Sequence, residues 1–141
     1  MCGICGIAAG KLSQTDIDVI PHITEALLHR GPDDTGIERV DESVIFGFRR
    51  LAILDLSSAG HQPMFSPDKS RCIVLNGEIY NYRELGDGLK SKGYRFKGRS
   101  DTEVVLSLFA EYGTDSFAMM NGMFAMAVYY AASATVTLAR D

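Results

Sequence analysis

The second residue of the chain is a cysteine, and its position directly after Met1 gives it a specific chemical capacity. Removal of Met1 would leave Cys2 with a thiol and a free α-amine on the same residue. A thiol nucleophile needs a nearby base, and an α-amine with an ordinary pKa of about 7.7–8.0 can act as one. Cys2 is therefore a candidate nucleophile that carries its own base. The alternative at this point is that Cys2 is only a small residue opening a strand.

A second cysteine stands three positions further on, so Cys2-Gly3-Ile4-Cys5 also has the spacing of a redox or metal-binding motif. A zinc site usually has four ligands, and the sequence has no second pair of this kind. A redox pair usually opens a helix, whereas this one lies at the start of a predicted strand. Alternation along that strand would place Cys2 and Cys5 on opposite faces of a sheet. We therefore expect Cys5 to be a core residue, Cys72 to be a buried apolar filler, and the chain to hold no metal.

Composition restricts the class of protein. The chain has 141 residues, 46% of them hydrophobic and 23% charged, which is typical of one globular domain over residues 1–141. Its net charge of −4, with no cationic run longer than Arg49-Arg50, argues against nucleic acid or an anionic membrane as partner. No apolar run approaches the ~20 residues that span a bilayer. The first residues lack the features of a signal peptide, and an odd number of cysteines argues against a disulfide framework. We expect a cytoplasmic protein.

The pattern of apolar residues predicts a mixed α and β chain. Strands are predicted at 3–9, at 43–55 as one long or two short strands, and at 71–75, 94–97, 123–130 and 135–139. Helices are predicted up to Gly31-Pro32 and at 82–92 and 102–112. Strands at both ends of the chain, with helices grouped between them, favour a layered α+β fold over a doubly wound sheet.

The first helix has a predicted start at Thr15 and Asp18. Pro21 is expected near its first turn or at a kink, and Gly31-Pro32 is expected to stop it. The buried face is predicted from helical spacing to hold Ile20, Ile23 and Leu27.

Asn76-Gly77 follows the predicted strand at 71–75 and has more than one interpretation. This dipeptide is most often a hairpin turn. The residues after it resemble a helix rather than a returning strand, and this weakens the hairpin interpretation.

Six motifs in order then point to a family. They are CGICG at the start, HRGPDDTG at 29–36, RRLAILDL at 49–56, GHQPM at 60–64, NGEIYNYREL at 76–85 and SDTEVVL at 100–106. Together they resemble the glutaminase domain of class II glutamine amidotransferases, which are N-terminal-nucleophile hydrolases, and within these the asparagine synthetase branch. The resemblance runs over essentially the whole chain. It implies a four-layer αββα sandwich with the substrate cleft at one end of the sheets, and the stop directly after the last predicted strand suggests a C-terminally truncated sandwich.

The resemblance also implies which residues carry the reaction. Cys2 is the nucleophile, and the side-chain amide of Asn76 with the backbone N–H of Gly77 forms the oxyanion hole. This assignment makes physical sense, because the amide carbonyl gains negative charge when sulfur attacks and donors must already point at it. A glycine at 77 would let the backbone approach the substrate.

By the same resemblance, Arg50 binds the α-carboxylate of glutamine, while Glu78 and Asp101 lie near its α-amine, Asp101 being the firmer assignment. Backbone atoms that shape the pocket belong to Leu51, Ile53 and Leu54. A planar guanidinium suits a carboxylate because it can bond both oxygens, and a carboxylate suits an ammonium.

Some of these residues also have a purely structural interpretation. Arg50 beside Arg49 is also what an ordinary strand-surface pair looks like. Asp101 would favour the helix dipole at a helix start, although Glu103 is better placed for that task. The chain has three histidines, His22, His29 and His61. Any of them could act as the base for a cysteine, but we expect all three to have structural roles because the α-amine makes a histidine base unnecessary.

The implied function is hydrolysis of L-glutamine to glutamate and ammonia, with the ammonia passing to an ATP-dependent synthetase domain in cis or in trans. No pyrophosphate-binding motif occurs in these residues, so ATP and Mg²⁺ are expected only in that other domain and no cofactor is expected here. A homodimer stays open. The alternatives are a non-catalytic regulatory or interaction module with the same shell and, less favoured, a C-x-x-C thiol redox protein.

Overall fold

The computed structural model describes residues 1–53 and 55–141. In these residues the strands are β1 Gly3–Ala8, β2 Asp34–Arg39, β3 Val44–Arg50, β4 Met64–Phe65, β5 Arg71–Ile79, β6 Gly122–Tyr130 and β7 Thr135–Arg140. The α-helices are α1 Gln14–Ala26, α2 Tyr82–Ser91 and α3 Asp101–Tyr112. Short 3₁₀ helices lie at Leu28–Arg30, Ser58–Gly60 and Gly113–Met119. The two later α-helices and the last two strands agree with the sequence predictions to within a residue.

Two antiparallel sheets form the centre of the molecule. The first has the strand order β1-β3-β2 and the second has the order β4-β5-β6-β7. They pack face to face through a shared apolar layer, whose buried members are Val44, Phe46, Phe48, Cys72, Val74, Ala127 and Tyr129. Burial of such side chains stabilises the packing by about 25 cal/mol for each Å² of apolar surface removed from water.

Helices cover the outer face of each sheet. Ile20 of α1 packs against Ile45 of β3 on the first sheet. Val105 and Phe109 of α3 pack against β5 and β6 on the second sheet, and α2 packs beside α3 around Leu89. The layer order is therefore helix, sheet, sheet, helix, which confirms the predicted α+β class and the four-layer αββα sandwich.

The first helix begins earlier than the sequence prediction placed it. Ser13 is its N-cap: the Ser13 hydroxyl accepts from the backbone N–H of Asp16 at 3.2 Å, and Asp16 accepts from Ser13 N–H at 2.8 Å. This reciprocal capping box satisfies two backbone donors, so the predicted start at Thr15 and Asp18 is wrong. Pro21 lies inside the helix, which ends at Ala26.

The buried face of α1 also differs from the prediction. Ile20 and Thr24 are its buried residues, whereas Ile23 is 39% exposed. An apolar residue at helical spacing therefore faces solvent, and a threonine takes the place that Ile23 was expected to hold.

Two strand predictions are corrected by the structure. Among the described residues of the predicted strand at 43–55, only Val44–Arg50 form a strand, and β2 was not predicted at all. Within β2 only Gly36 is buried, because this strand lies at the edge of its sheet and carries no apolar alternation. The predicted strand at 94–97 is a loop. Its aromatic residues Tyr94 and Phe96 pack against the cluster between α2 and α3, so their alternation reflects that packing and not a strand.

Strand β5 continues through Asn76-Gly77 instead of ending there. Asn76 lies opposite Ala125 and Gly77 opposite Phe124 in the pairing of β5 with β6. The hairpin interpretation of this dipeptide is therefore wrong.

Candidate active site

A cleft lies where β1 begins and where β3 and β5 approach their ends. The space between its walls, about 530 Å³, is open to solvent. The described residues that line it are Met1, Cys2, Phe48, Arg50, Leu51, Ile53, Asp55, Gly60, Gln62, Leu75, Gly77, Glu78, Ser100, Asp101 and Thr102.

The cleft brings most of the predicted site residues together. Cys2, Arg50, Leu51, Ile53, Gly77, Glu78 and Asp101 all line it. Asn76 lies in β5 between the lining residues Leu75 and Gly77. Leu54, which the sequence also places in the pocket, lies outside the described residues.

The thiol of Cys2 rests against the backbone of Leu51. The Leu51 N–H donates to Cys2 Sγ at 3.4 Å, and the thiol lies 3.7 Å from the Leu51 carbonyl oxygen. The carbonyl of Cys2 accepts from Nε of Arg30 at 2.9 Å. These contacts fix both ends of Cys2, and the donor from Leu51 is oriented to stabilise negative charge on the sulfur.

Cys2 and Cys5 lie on opposite faces of the first sheet, as the strand alternation predicts. Cys2 packs against the layer between the sheets, whereas Cys5 packs under α1 with Sγ 3.4 Å from the Thr24 hydroxyl oxygen. Cys72 is fully buried, which confirms its predicted role as an apolar filler, and burial raises the pKa of its thiol to about 12. Within the described part of the chain all three cysteines are free.

Arg50 is buried at the wall of the cleft, with 8% of its surface exposed, so it is not part of an ordinary strand-surface pair. Its Nη1 donates to the Ser57 carbonyl at 2.8 Å, and its Nη2 donates to the Asp55 carbonyl. Gly60 leaves room for the guanidinium, since a Cβ there would lie 2.0 Å from Arg50 Nη2. A guanidinium has five N–H donors, so donors remain for a carboxylate.

The loop around Arg50 is itself anchored through the carboxylate of Asp55. One oxygen accepts from the Arg99 N–H at 2.8 Å, and the other accepts from Ser57 N–H at 2.8 Å. The bond from Arg99, then those from Ser57, and finally the charge of Arg50 lower the pKa of Asp55 to about 2. The loop that surrounds the guanidinium is thereby tied to the segment leading into α3.

Asn76 carries an unpaired polar atom near the cleft. Its Oδ1 is buried and has no hydrogen-bond partner among the described residues. Alternation along β5 places Asn76 on the same face as Val74, which packs in the layer between the sheets with Cys2. A buried acceptor without a partner is costly in a native protein, and an N–H donor of a bound substrate would satisfy it.

Gly77 has a structural reason to be glycine. Its φ is +145°, and a Cβ at this position would lie 2.1 Å from the Met123 carbonyl oxygen of β6. The sequence interpretation explained Gly77 by close approach of substrate, but the close approach that the structure shows is to the neighbouring strand.

Asp101 is the first residue of α3 and is 6% exposed. Its carboxylate accepts from the Ile79 N–H at 3.0 Å and from the Thr102 N–H at 2.8 Å. Burial raises the pKa of Asp101, and the nearby Glu78 charge acts in the same direction, while these hydrogen bonds oppose the shift. Glu103, which was expected to serve the helix start, accepts from the N–H groups of Lys97 and Gly98.

None of the histidines is among the described residues that line the cleft. His61 pairs with Asp34 at 2.7 Å, and the rings of His22 and His29 contact the carbonyls of Asp18 and Ala26. Sequence reasoning missed other residues: Arg30, which holds Cys2, and Gln62, Ser100 and Thr102, which line the cleft. Each belongs to a quoted motif, but a motif does not reveal which side chain bonds to which backbone.

Comparison with known proteins gives a consistent family. All of residues 1–141 match a sequence family described as a glutamine amidotransferase domain. Asparagine synthetase [glutamine-hydrolyzing] 1 of Bacillus subtilis (strain 168) is 42% identical over 132 residues, which are 92% of this chain and 21% of that protein. Asparagine synthetase [glutamine-hydrolyzing] 2 of Oryza sativa subsp. japonica is 38% identical over 142 residues, covering 100% of this chain and 23% of that protein. The chain thus spans about a fifth of the length of these relatives.

A solved structure supports the fold at greater evolutionary distance. Glutamine phosphoribosylpyrophosphate amidotransferase from B. subtilis, complexed with ADP and GMP, superposes with a TM-score of 0.78 at 20% identity. The match covers 100% of this chain and 37% of that one. Among the residues that the structure describes, none of the helices combines the length and apolar character needed to cross a membrane.

We expect Gly77→Ala to destabilise the fold by about 2–4 kcal/mol, because it adds both backbone strain and a clash with β6. Gly88→Ala is the matched control: it lies in α2, and a Cβ there meets nothing within 4 Å. The control should be neutral or stabilising by up to about 1 kcal/mol. Urea unfolding of both variants measures the difference, and equal stabilities would contradict the argument.

The raised pKa of Asp101 predicts a pH trend. The folded protein keeps the Asp101 proton to a higher pH than the unfolded chain, whose aspartates titrate at about 3.9. The wild type therefore loses stability through this group as pH rises from that value through the raised pKa. The free energy of unfolding of Asp101→Asn, measured by urea unfolding from pH 4 to 7, should rise relative to wild type across this range. A difference that falls or stays constant contradicts the pKa direction.

Proposed function

The chain belongs to the glutamine amidotransferase domain family, and we propose that it hydrolyses the side-chain amide of glutamine to glutamate and ammonia through a thioester at Cys2. The observation that carries this proposal is one cleft lined by a thiol, a buried guanidinium and a buried carboxylate, from Cys2, Arg50 and Asp101. Glutamine presents a carboxylate and an ammonium at one end and an amide at the other. In the cleft, Arg50 matches the carboxylate, Asp101 matches the ammonium, and the Cys2 thiol matches the amide.

Substrate binding follows from the charges of the cleft. The free N–H donors of Arg50 bind the α-carboxylate, and Asp101 binds the α-ammonium with Glu78 beside it. The main-chain donor of Gly77 and the amide of Asn76 stabilise the oxyanion that forms during attack. The backbone of Leu51 and Ile53 completes the pocket. Holding the substrate by both charges of its α-carbon fixes the amide against Cys2, which is where the gain in orientation arises.

In the proposed reaction the Cys2 thiol loses its proton to its own α-amine, directly or through water, and sulfur attacks the amide carbon. The tetrahedral intermediate collapses by breaking the carbon–nitrogen bond, and the nitrogen leaves as ammonia after taking up the proton. Water then attacks the thioester, which releases glutamate and restores the thiol. Met1 lies in the cleft lining beside Cys2, so its removal both frees the amine and opens the site.

The destination of the ammonia is a proposal drawn from the relatives. They carry the name asparagine synthetase, and the part matched here is 21% and 23% of their length. We propose that residues 1–141 act as the glutaminase domain and deliver ammonia to a synthetase domain in cis or in trans. The hydrolysis described above uses a thiol, an amine, water and hydrogen-bond donors, so in this scheme ATP and Mg²⁺ serve the synthetase domain.

We expect hydrolysis to require the loss of Met1, because an acylated Cys2 nitrogen is no base. Intact-mass measurement paired with glutamate release from glutamine tests this in trimmed and untrimmed protein. In the trimmed background Cys2→Ser should be nearly inactive. Cys5→Ala, on the opposite face of the sheet, should retain activity.

Full activity in protein that keeps Met1 would contradict the amine as base. Absence of glutamate release from folded, trimmed wild type would instead favour a non-catalytic module with this fold.

A second kinetic experiment separates substrate binding from chemistry. Arg50→Leu should mainly raise KM, because the carboxylate contact exists in both ground and transition states. Asn76→Ala should mainly lower kcat, by about 10²–10³-fold, because its donor acts on charge that develops in the transition state. Arg49→Leu is the control for Arg50→Leu, since Arg49 is equally buried but pairs with Glu25 of α1. If Arg49→Leu and Arg50→Leu change KM equally, the carboxylate assignment is wrong.

A further inference from the structure

Gln62 has a side chain whose polar atoms are all used within the protein. It is 4% exposed and lies just before β4, at the wall of the cleft. Its Oε1 accepts from the Leu75 N–H at 2.6 Å, and its Nε2 donates to the Leu75 carbonyl at 3.3 Å and to the Thr102 hydroxyl at 3.1 Å. One carboxamide therefore connects β5 to the start of α3.

The two bonds to Leu75 take the place of a strand. Strand β4 pairs only Met64 with Ile73 and Phe65 with Cys72, and two further residues of the same register would set Gln62 opposite Leu75. The Gln62 side chain satisfies the N–H and the carbonyl of Leu75 there, as a neighbouring peptide group would. This supports β5 immediately before Asn76.

The third bond closes a chain of contacts around the reactive segment of β5. Thr102 is 2% exposed, and its N–H donates to the carboxylate of Asp101. Asp101 in turn accepts from the Ile79 N–H. Residues 76–78 are thus held at one end through Gln62, which bonds to Thr102, and at the other end through Asp101. Both Thr102 and Asp101 lie at the start of α3.

Resting on the function proposed above, we propose that Gln62 is a positioning residue, which sets the place of the oxyanion-hole segment 76–78 relative to Asp101. The oxyanion donors lie on β5, and the ammonium-binding carboxylate lies on α3, two elements that carry different parts of the substrate. Their relative position decides whether the bound amide faces the donors. A displacement of about 1 Å can cost about 10²-fold in rate.

Thr102→Val tests this link with the smallest change. It keeps the shape of the side chain and both Gln62 bonds to Leu75, and it removes the bond between strand and helix. We expect kcat for glutamine hydrolysis to fall about 10-fold with KM changed less than about threefold. Gln62→Met removes all three bonds and should lower kcat further, by about 10²-fold.

Thr24→Val is the matched control. Thr24 is also a 2% exposed helical threonine, but its hydroxyl contacts Cys5 under α1. It should lose stability without a loss of kcat per folded molecule. Thermal unfolding followed by circular dichroism gives the folded fraction of each protein at the assay temperature, which separates unfolding from a change in the site.

The outcomes are distinct. A fall in kcat for Thr102→Val, with the control unchanged, supports the positioning role. A wild-type kcat in folded Thr102→Val overturns the positioning role and leaves the proposed function standing. An equal fall of kcat in Thr102→Val and Thr24→Val has the same meaning. If trimmed wild type itself releases no glutamate, the proposed function fails, and the positioning role falls with it.

Discussion

The cleft depends on the burial of two opposite charges at the end of the sandwich. A charge taken out of water is stable only when hydrogen bonds replace its hydration. The chain meets this demand with its own backbone: the carbonyls of Asp55 and Ser57 accept from Arg50, and N–H groups of β5 and α3 donate to Asp101. The loop and the helix start are shaped by these charges, and the cleft is the space left between them.

The apolar layers and the polar end of the molecule position the cleft residues in different ways. The layer between the sheets holds β3 and β5 face to face, and this sets the positions of Arg50 and Gly77 in the wall of the cleft. The polar end then adjusts positions through single hydrogen bonds rather than through packing. The hydrogen bond from Arg99 to Asp55 joins the segment that contacts Arg50 to the segment before α3, so this bond links the two walls of the cleft.

Much of this arrangement could be predicted from the sequence, and the failures have specific physical causes. The α2 and α3 helices and the β6 and β7 strands carry clear periodicity, and the ordered motifs implied both the sandwich and the grouping of Cys2, Arg50 and Asp101. Strand β2 is an exposed edge without apolar alternation, so local pattern could not reveal it. The path of β5 through Asn76-Gly77 was missed because the pairing with β6, and not local turn preference, decides it. The role of Gln62 depends on contacts across 13 and 40 positions of the chain, which no local pattern encodes.

The three thiols occupy three separate environments, and this has a consequence for labelling chemistry. With its pKa raised to about 12, Cys72 holds only about one part in 10⁵ as thiolate at pH 7, and it is sealed between the sheets. Cys5 is partly exposed like Cys2 but packs under α1 and does not line the cleft, whereas Cys2 does. A small electrophile that enters the cleft of the folded protein therefore meets Cys2 first. A reagent confined to the cleft can therefore label one sulfur without any cysteine having to be removed.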